Sequence, residues 1–157
     1  MLIKGLISED LVNYKKPSMT IMFPHCTFKC GEVNCQNSPL AKEKNIEISI
    51  EELTKRYLNN SITESIVMQG LEPFDSWMDL KKFIHNLREY TDDDIVIYTG
   101  YNKDEILNYI NTLSVYKNII IKYGRYICGH NRHYDNVLGV WLASDNQYAE
   151  RIGKYDN

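Results

Sequence analysis

Three cysteines lie close together early in the chain, in the segment Cys26-Thr-Phe-Lys-Cys30-Gly-Glu-Val-Asn-Cys35. The segment follows an apolar stretch, Met19-Thr-Ile-Met-Phe23, that is typical of a strand. Thiolates this close on one loop can converge on one metal centre, and three ligands rather than four leave a coordination position open. An open position usually indicates chemistry rather than scaffolding. The fourth cysteine, Cys128, is far downstream, so a local four-thiolate site is not available.

A structural zinc site is the alternative interpretation of these cysteines. His25, or the segment Cys128-Gly-His130, would then supply the fourth ligand. Otherwise we expect Cys128 to be a partly buried small residue. We expect His130 and His133, in the loop that carries Cys128, to face solvent or a partner.

The composition is that of an ordinary globular protein, with 157 residues, of which 43% are hydrophobic and 25% are charged. This length predicts a single domain over residues 1–157 with a core that needs no disulfide. The net charge of -3, with lysine and arginine spread along the chain, argues against a nucleic-acid partner.

No apolar run approaches the ~18–20 residues that cross a bilayer, and no signal peptide is evident at the N-terminus. We therefore expect a cytoplasmic protein without a membrane partner. In that reducing compartment, clustered cysteines are metal ligands or redox groups more often than disulfides.

Strands and helices are predicted to alternate along the chain. The predicted strands cover residues 18–23, 65–68, 94–98 and 118–122, and a last apolar segment covers residues 137–142. The first helix is indicated by the capping-box spacing of Ser49 and Glu52, with Ile48 and Leu53 placed as a hydrophobic staple.

Two more helices are predicted from their apolar periodicity. In the second helix, which starts near Asp75 or Ser76, one buried stripe is formed by Trp77, Leu80, Phe83, Ile84 and Leu87. The third begins at Asn102 with the same capping pattern, and its inward residues are expected to be Ile106, Leu107, Ile110 and Leu113.

Strands that are apolar on both faces, alternating with amphipathic helices, indicate an α/β fold with a mostly parallel sheet. Ligands bind beyond the carboxyl ends of such strands. Three segments each follow a strand: the loop that carries Cys26, Cys30 and Cys35, called the cysteine loop below, the turn after Met68 and the turn after Tyr98. We therefore expect them on one edge of the sheet, around one site. Four or five strands cannot close an eight-stranded barrel, so one side of the site should stay open.

These residues resemble those of the radical S-adenosylmethionine (SAM) proteins, and within them the small activating proteins of anaerobic ribonucleotide reductase. The resemblance covers residues 18–152 and rests on the order and separation of four features. They are the cysteine loop, the turn Gly70-Leu-Glu-Pro73, the turn Tyr98-Thr-Gly-Tyr101 and the late segment Ser144-Asp-Asn-Gln147. It implies an incomplete parallel β/α barrel of the radical SAM type.

The chain departs from the family pattern at three places. The usual cysteine spacing is C-x3-C-x2-C, whereas here four residues separate Cys30 from Cys35. Asn34 stands where an aromatic residue commonly contacts adenine, and Phe28 is the aromatic side chain that would replace it. Leu71 replaces the second glycine of the usual Gly-Gly-Glu-Pro turn.

The resemblance implies a [4Fe–4S] cluster held by Cys26, Cys30 and Cys35, with the amino and carboxylate groups of SAM on the fourth iron. Gly70 would let the backbone approach the ligand, and Glu72 would accept hydrogen bonds from the SAM amino group. The wall near the nucleoside would be formed by Tyr98, Gly100 and Tyr101.

Local structural roles remain open for several of these residues. Glu72 is alternatively an ordinary acidic residue at the start of a helix, where the helix dipole favours it. Tyr98 and Tyr101 alternatively pack at the end of a strand. Residues 144–147 are equally typical of a polar turn.

The resemblance further implies one-electron cleavage of SAM to a 5'-deoxyadenosyl radical, with the cluster and SAM carrying the chemistry. The radical would then take a hydrogen from a glycine of a partner, most simply an anaerobic ribonucleotide reductase, with reduced flavodoxin or ferredoxin as the electron donor. Lys15, Lys16 and Lys29 are candidate contacts for an acidic donor, although scattered lysines are usually solvated. The alternatives are a radical SAM enzyme with a nucleotide-like small substrate and a non-catalytic iron–sulfur or zinc module.

Overall fold

The structure, a computed structural model, describes residues 1–28, 31, 35 and 37–154. Along these residues the strands are β1 Leu2–Ile3, β2 Gly5–Asp10, β3 Ser18–Phe23, β4 Ile46–Glu47, β5 Ser65–Gly70, β6 Asp94–Tyr98, β7 Ile119–Tyr123, β8 His133–Asp135, β9 Val140–Leu142 and β10 Tyr148–Arg151. The α-helices are α1 Ser38–Ala41, α2 Ile50–Leu58, α3 Trp77–Arg88 and α4 Leu107–Leu113. Short 3-10 helices, Pro73–Ser76 and Lys103–Ile106, lead into α3 and α4.

Six strands form the central sheet in the order β10-β7-β6-β5-β3-β2. The four inner strands, β3, β5, β6 and β7, run parallel, and the two edge strands pair antiparallel to their neighbours. The predicted α/β class with a mostly parallel sheet is confirmed, and the predicted strands at 18–23 and 94–98 have the observed bounds. The edge strands β2 and β10 were not predicted.

The last apolar segment, 137–142, differs from its prediction. Only Val140–Leu142 is a strand, and β9 pairs with β8 in a separate two-stranded sheet. The reason is the turn at Gly139, where φ is +72° and the backbone N–H donates to Asp135 O at 2.8 Å. This turn folds the segment back on itself as a hairpin.

One face of the central sheet packs against the helices. On this face Ile21, Met68, Ile97 and Ile121 are all fully buried. The buried stripes of α2, α3 and α4 belong to the same apolar cluster, so the helices lie on one side of the sheet. The predicted α3 stripe is confirmed for Leu80, Phe83, Ile84 and Leu87, each with 0% exposure. Its first member, Trp77, is only partly buried against the same cluster.

The opposite face of the sheet is covered by a smaller cluster. Val67, Val96 and Ile120 pack there with Tyr14, from the segment between β2 and β3, and with Leu138 and Leu142 of the hairpin region. Polar residues share this face because strands in register alternate their side chains between faces. Thr20 pairs with Val67, and Lys122 pairs with Tyr98.

The predicted helix starts are present at Ser49 and Asn102. Ser49 Oγ accepts a hydrogen bond from Glu52 N at 3.1 Å, while the Glu52 carboxylate accepts from Arg56 Nε at 2.9 Å. Asn102 and Glu105 form the reciprocal capping box.

The inward position predicted for Leu107 is wrong, since its side chain is 48% exposed. The 3-10 turn that precedes α4 has about three residues per turn, so Ile106 takes the buried position and Leu107 turns outward. Within the described ranges, none of the helices has the length and apolar character of a membrane span.

Candidate metal and cofactor site

A cavity of about 470 Å³ lies at the carboxyl edge of the inner strands, against the sheet face that is opposite the helices. Its floor is a row of side chains from four neighbouring strands, namely Met22, Gln69, Tyr98 and Lys122. Its walls come from the segments that follow those strands, from the segment between β2 and β3, and from β9. The expected convergence of the cysteine loop with the turns after β5 and β6 is therefore observed.

The structure places six of the predicted site residues on this cavity: Cys26, Cys35, Gly70, Glu72, Tyr98 and Gly100. Phe28 and Tyr101 are not among the described residues that line it. Cys30 lies outside the described residues, as do Lys29 and Asn34.

The cysteine loop is fastened to the turn after β5 by backbone and side-chain hydrogen bonds. At its start, Leu71 N donates to Phe23 O at 3.3 Å and Glu72 N donates to His25 O at 2.7 Å. At its end, Asn37 Nδ2 donates to Gly70 O at 2.7 Å. Both ends of the loop are thereby held beside Gly70.

The two described cysteines of the loop are half-buried on the cavity wall. Cys26 Sγ accepts a hydrogen bond from Phe28 N at 3.2 Å, the type of contact that tunes the reduction potential of iron–sulfur clusters. Within the described part of the chain, no group of three or more His, Cys, Asp or Glu side chains could hold a metal ion. The predicted third ligand, Cys30, is outside that part.

Gly70 is required by the neighbouring strand. Its φ is +101°, and a Cβ at this position would lie 2.7 Å from Phe23 N and 2.8 Å from Met22 Cα. The backbone of β3 approaches Gly70 closely, and any other residue here would force β3 and β5 apart. Gly70 also lines the cavity, so its predicted role beside a ligand stays a prediction.

Glu72 is buried, with 4% exposure, and its carboxylate joins two turns. Oε1 accepts from Thr99 Oγ1 at 2.8 Å and from Phe74 N at 3.2 Å, and Oε2 accepts from Gly100 N at 2.9 Å. Burial raises the pKa of Glu72 to about 7, although these hydrogen bonds act in the opposite direction. Glu72 is thus both the N-cap of the Pro73–Ser76 helix and part of the cavity wall.

Lys122 is a site residue that the sequence analysis missed. Lys122 is 7% exposed. Its Nζ donates a hydrogen bond to Gly124 O at 3.1 Å and lies 5.7 Å from the centroid of the Tyr98 ring. Burial lowers the pKa of Lys122 to about 8, while the Glu72 carboxylate acts to raise it. The sequence feature that could have identified it is a single lysine within the apolar run Ile119-Ile-Ile-Lys-Tyr123.

The two tyrosines of the turn after β6 have different positions. Tyr98 lines the cavity, and its hydroxyl donates to Asn13 O at 2.6 Å. The Tyr101 hydroxyl instead donates to Asp75 Oδ1 at 2.7 Å, and the ring packs 5.6 Å from the Arg125 guanidinium carbon. Arg125 in turn forms a two-bond ion pair with Glu105 at 2.9 and 3.0 Å.

The late segment is a polar turn that holds the loop after β7. Gln147 Nε2 donates to Gly124 O at 3.1 Å, and Asn146 Nδ2 donates to Arg125 O at 2.9 Å. Ser144 Oγ accepts from Ile127 N at 3.3 Å. Gln147 also lines the cavity, so this turn closes the site on the side of β7.

The histidines and the last cysteine lie apart from the cavity lining among the described residues. His130 is exposed and bonds Asp145 at 2.8 Å. Two expectations are wrong: Cys128 is exposed rather than partly buried, and His133 is the first residue of β8 rather than a loop residue. Its ring is held by Gln147 O, because the hairpin packs beside β10.

The family comparison indicates a 4Fe-4S cluster-binding domain. A family model described as a 4Fe-4S single cluster domain matches residues 17–148. The chain belongs to this family. The match includes the cysteine loop and every strand that contributes to the cavity floor, and it confirms the predicted iron–sulfur character. Neither the curated proteins nor the solved structures that were compared gave a match.

Proposed function

We propose that this protein is a radical SAM enzyme that holds one [4Fe–4S] cluster through Cys26, Cys30 and Cys35 and binds SAM in the adjoining cavity. The observation that carries the proposal is the convergence on one cavity of Cys26, Cys35 and the turns after β5 and β6. The family match independently supports the cluster.

The residues present fit such a cofactor pair. Two of the proposed thiolate ligands are on the cavity wall, and one already accepts a backbone N–H. The cavity volume of about 470 Å³ is within the range of small-molecule sites, roughly 300–1,000 Å³. When bound and reduced by one electron from a ferredoxin or flavodoxin, the cluster supplies the electron that breaks the sulfonium carbon–sulfur bond of SAM, which gives methionine and the 5'-deoxyadenosyl radical.

The charged residues of the cavity suit the amino-acid part of SAM. Glu72 would accept a hydrogen bond from the ammonium group, and that positive charge would favour the ionised carboxylate. Lys122, on the cavity floor, would bind the carboxylate group. Tyr98 and Gly100 would border the nucleoside on the side of β6.

The winding of the sheet supports an incomplete β/α barrel. The inner strands are adjacent in chain order, β3-β5-β6-β7, and the helices that connect them pack on one face. A doubly wound sheet has helices on both faces, whereas a barrel has them only on its outside. The cavity then corresponds to the interior side of the barrel.

The rim of the cavity supports a macromolecular substrate. Val12 and Trp141 both line the cavity mouth, and their exposed fractions are 76% and 60%. Exposed apolar side chains beside a site are typical of a protein-binding surface. We therefore propose that the radical takes a hydrogen from a glycine of a partner of the anaerobic ribonucleotide reductase type.

The test is anaerobic reconstitution with iron and sulfide, then reduction in the presence of SAM and an assay for 5'-deoxyadenosine. We expect about four irons per chain and release of 5'-deoxyadenosine. Alanine at Cys26, Cys30 or Cys35 should abolish both, whereas Cys128→Ala, the matched control at an exposed cysteine, should preserve both.

Two results would overturn the proposal. One is a colourless zinc protein that does not turn over SAM. The other is full iron loading and SAM cleavage in the Cys30→Ala variant.

A further inference from the structure

Asp75 follows β5 by five residues, and its carboxylate contacts two other loops. Oδ2 accepts a hydrogen bond from Thr27 N at 3.0 Å, and Oδ1 accepts from the Tyr101 hydroxyl at 2.7 Å. Thr27 directly follows Cys26 in the chain. One carboxylate therefore joins the cysteine loop to the turn after β6.

The segment that carries Asp75 is rigidly supported. Asp75 lies in the 3-10 helix Pro73–Ser76, between Phe74 and Trp77. The Phe74 ring stacks on Tyr109 with centroids 5.6 Å apart, and the Trp77 ring lies 4.4 Å from the same tyrosine. Because Phe74 is also 2% exposed, this aromatic cluster fixes the backbone on both sides of Asp75.

The second partner of Asp75 is also held in place. Tyr101 N donates to Thr99 Oγ1 at 3.0 Å, and the Tyr101 ring packs against Arg125. Burial and then the Asp75 carboxylate raise the pKa of Tyr101 to about 12. Its hydroxyl therefore stays protonated at neutral pH and donates to Asp75.

We propose that Asp75 is a positioning residue for the [4Fe–4S] cluster, which fixes the backbone beside Cys26 and lowers the reduction potential of the cluster through its negative charge. The inference rests on the ligand role of Cys26 in the proposed function. Hydrogen bonds around the ligands and the net charge of the surroundings are the protein's main means of setting such potentials. Tyr101, which the sequence placed on the cavity wall, acts here through Asp75.

Three variants separate the contact from the charge. Asp75→Ala removes both, and Asp75→Asn keeps an acceptor for Thr27 N and removes the charge. Tyr101→Phe removes the hydroxyl that donates to Asp75 and keeps the charge. Asp79→Asn is the control, because it removes a carboxylate about one helical turn further along, in the first turn of α3. Reconstituted full-length proteins are compared without SAM.

The measurements are the rate of iron release to a chelator and the midpoint potential from a redox titration followed by electron paramagnetic resonance. We expect Asp75→Ala to release iron about fivefold faster or more, the factor that corresponds to one lost hydrogen bond. Asp75→Asn should keep the wild-type release rate and have a more positive potential. Tyr101→Phe should release iron faster at an almost unchanged potential, and Asp79→Asn should match the wild type in both.

The inference is overturned if the Asp75 variants match the wild type, or if Asp79→Asn shifts the potential as much as Asp75→Asn. Far-UV circular dichroism checks the fold of Asp75→Ala, and the isosteric Asp75→Asn variant tests the charge if the alanine variant does not fold. Since SAM is absent throughout, a failure to cleave SAM would overturn the proposed function without affecting this result.

Discussion

Gly70 and Gly100 both line the cavity, but their surroundings differ. A Cβ at Gly70 would lie within 3 Å of the β3 backbone at a φ of +101°, whereas a Cβ at Gly100 would meet Arg125 Cγ at 3.5 Å and Glu72 Oε2 at 3.7 Å. We predict that Gly70→Ala lowers the free energy of unfolding by about 3 kcal/mol or more. Gly100→Ala, the matched control, should change it by less than about 1 kcal/mol.

Urea denaturation of the two iron-free variants and the wild type, followed by far-UV circular dichroism, measures this difference. Equal stability of the two variants would show that β3 and β5 can separate without cost at this point. The role of Gly70 would then have to be sought in ligand binding, as the sequence first suggested.

Lys122 is a site residue whose buried charge lowers the free energy of unfolding. Burial lowers its pKa from 10.5 to about 8, so at pH 7 the native state holds a charge that the environment disfavours. Stability is lost as the pH falls from above 10.5 through about 8. We predict that Lys122→Met raises the free energy of unfolding at pH 7 by about 3 kcal/mol, and that this gain shrinks as the pH rises towards 10.5.

The same substitution tests the binding role proposed for Lys122. Without reductant, SAM should bind to the reconstituted Lys122→Met variant about tenfold more weakly or worse, as expected for a lost charged hydrogen bond. Calorimetry measures binding, and urea denaturation across the pH range measures stability. Lys82→Met, at an exposed position of α3, is the control and should change neither. A variant that gains stability and binds SAM normally would refute the binding role.

The inner strands could be predicted from the sequence because they are buried on both faces. β3, β5, β6 and β7 are therefore short apolar runs between turns and helices. The edge strands gave no such signal, since they carry charged residues, Glu9 and Asp10 in β2 and Glu150 in β10, and most of their positions are exposed or half-buried. Their pairing depends on long-range contacts that a local pattern does not contain.

The candidate site was predicted to the extent that topology determines it. Carboxyl ends of parallel strands share an edge, so the meeting of the cysteine loop with the turns at Gly70 and Gly100 followed from strand order. The position of Tyr101 did not follow from strand order, because it depends on a hydrogen bond to Asp75 that the sequence cannot show. Lys122 was missed because a lone lysine in an apolar strand is usually taken to extend into solvent.

Asp94 joins three elements at the amino end of β6. Its carboxylate accepts from Lys16 Nζ and Arg151 Nη1, both at 2.7 Å, and from the Tyr14 hydroxyl at 2.9 Å. The central strand is thereby tied to edge strand β10 and to the segment before β3. We predict that Asp94→Ala lowers the free energy of unfolding by about 3 kcal/mol, because two cations lose a buried partner.

The same residue predicts an acid dependence. Burial alone would raise the pKa of Asp94, but hydrogen bonds from Arg151, Lys16 and Tyr14 outweigh it and lower the pKa from 3.8 to about 2. The stability from the ionised carboxylate is present above pH 3.8 and is lost as the pH falls through about 2. Urea denaturation between pH 5 and pH 2 should show this loss in the wild type and less of it in Asp94→Ala.

Asp92, two residues before Asp94 in the chain, provides the control. Its ion pair with Lys117, at 3.0 Å, is largely exposed, and exposed pairs contribute about 0–1 kcal/mol. Asp92→Ala should therefore keep the acid profile of the wild type. If both alanine variants were equally stable, the three elements would be held together by apolar packing rather than by Asp94.

At the scale of the whole molecule, the two faces of the sheet differ in what covers them. The helices cover one face with a continuous apolar core. The other face is covered only in part, by the hairpin β8–β9 and the segment between β2 and β3, and the cavity lies where this cover ends. The face that packs on the helices therefore contributes most of the apolar core, whereas the opposite face leaves the cavity accessible.

The open side leads to a prediction about the partner. Trp141 pairs with Tyr134 across the hairpin, with ring centroids 5.9 Å apart, and both aromatic side chains are substantially exposed. If the partner docks on this rim, truncation removes contact area that is buried only in the complex. We predict that Trp141→Ala lowers the yield of glycyl radical on the partner about tenfold, the effect of an interface residue worth more than 1 kcal/mol, and leaves partner-independent SAM cleavage unchanged.

Tyr90→Ala is the control for this prediction, because Tyr90 is 61% exposed and follows the C-terminus of α3, at the opposite edge of the sheet from the cavity. Electron paramagnetic resonance quantifies the glycyl radical, and release of 5'-deoxyadenosine without partner quantifies SAM cleavage. A Trp141→Ala variant that loses both activities would place Trp141 in the SAM site, because a docking residue affects only the step that involves the partner. A variant that loses neither would place the docking surface away from the hairpin, and the exposed apolar rim would then no longer support a macromolecular substrate.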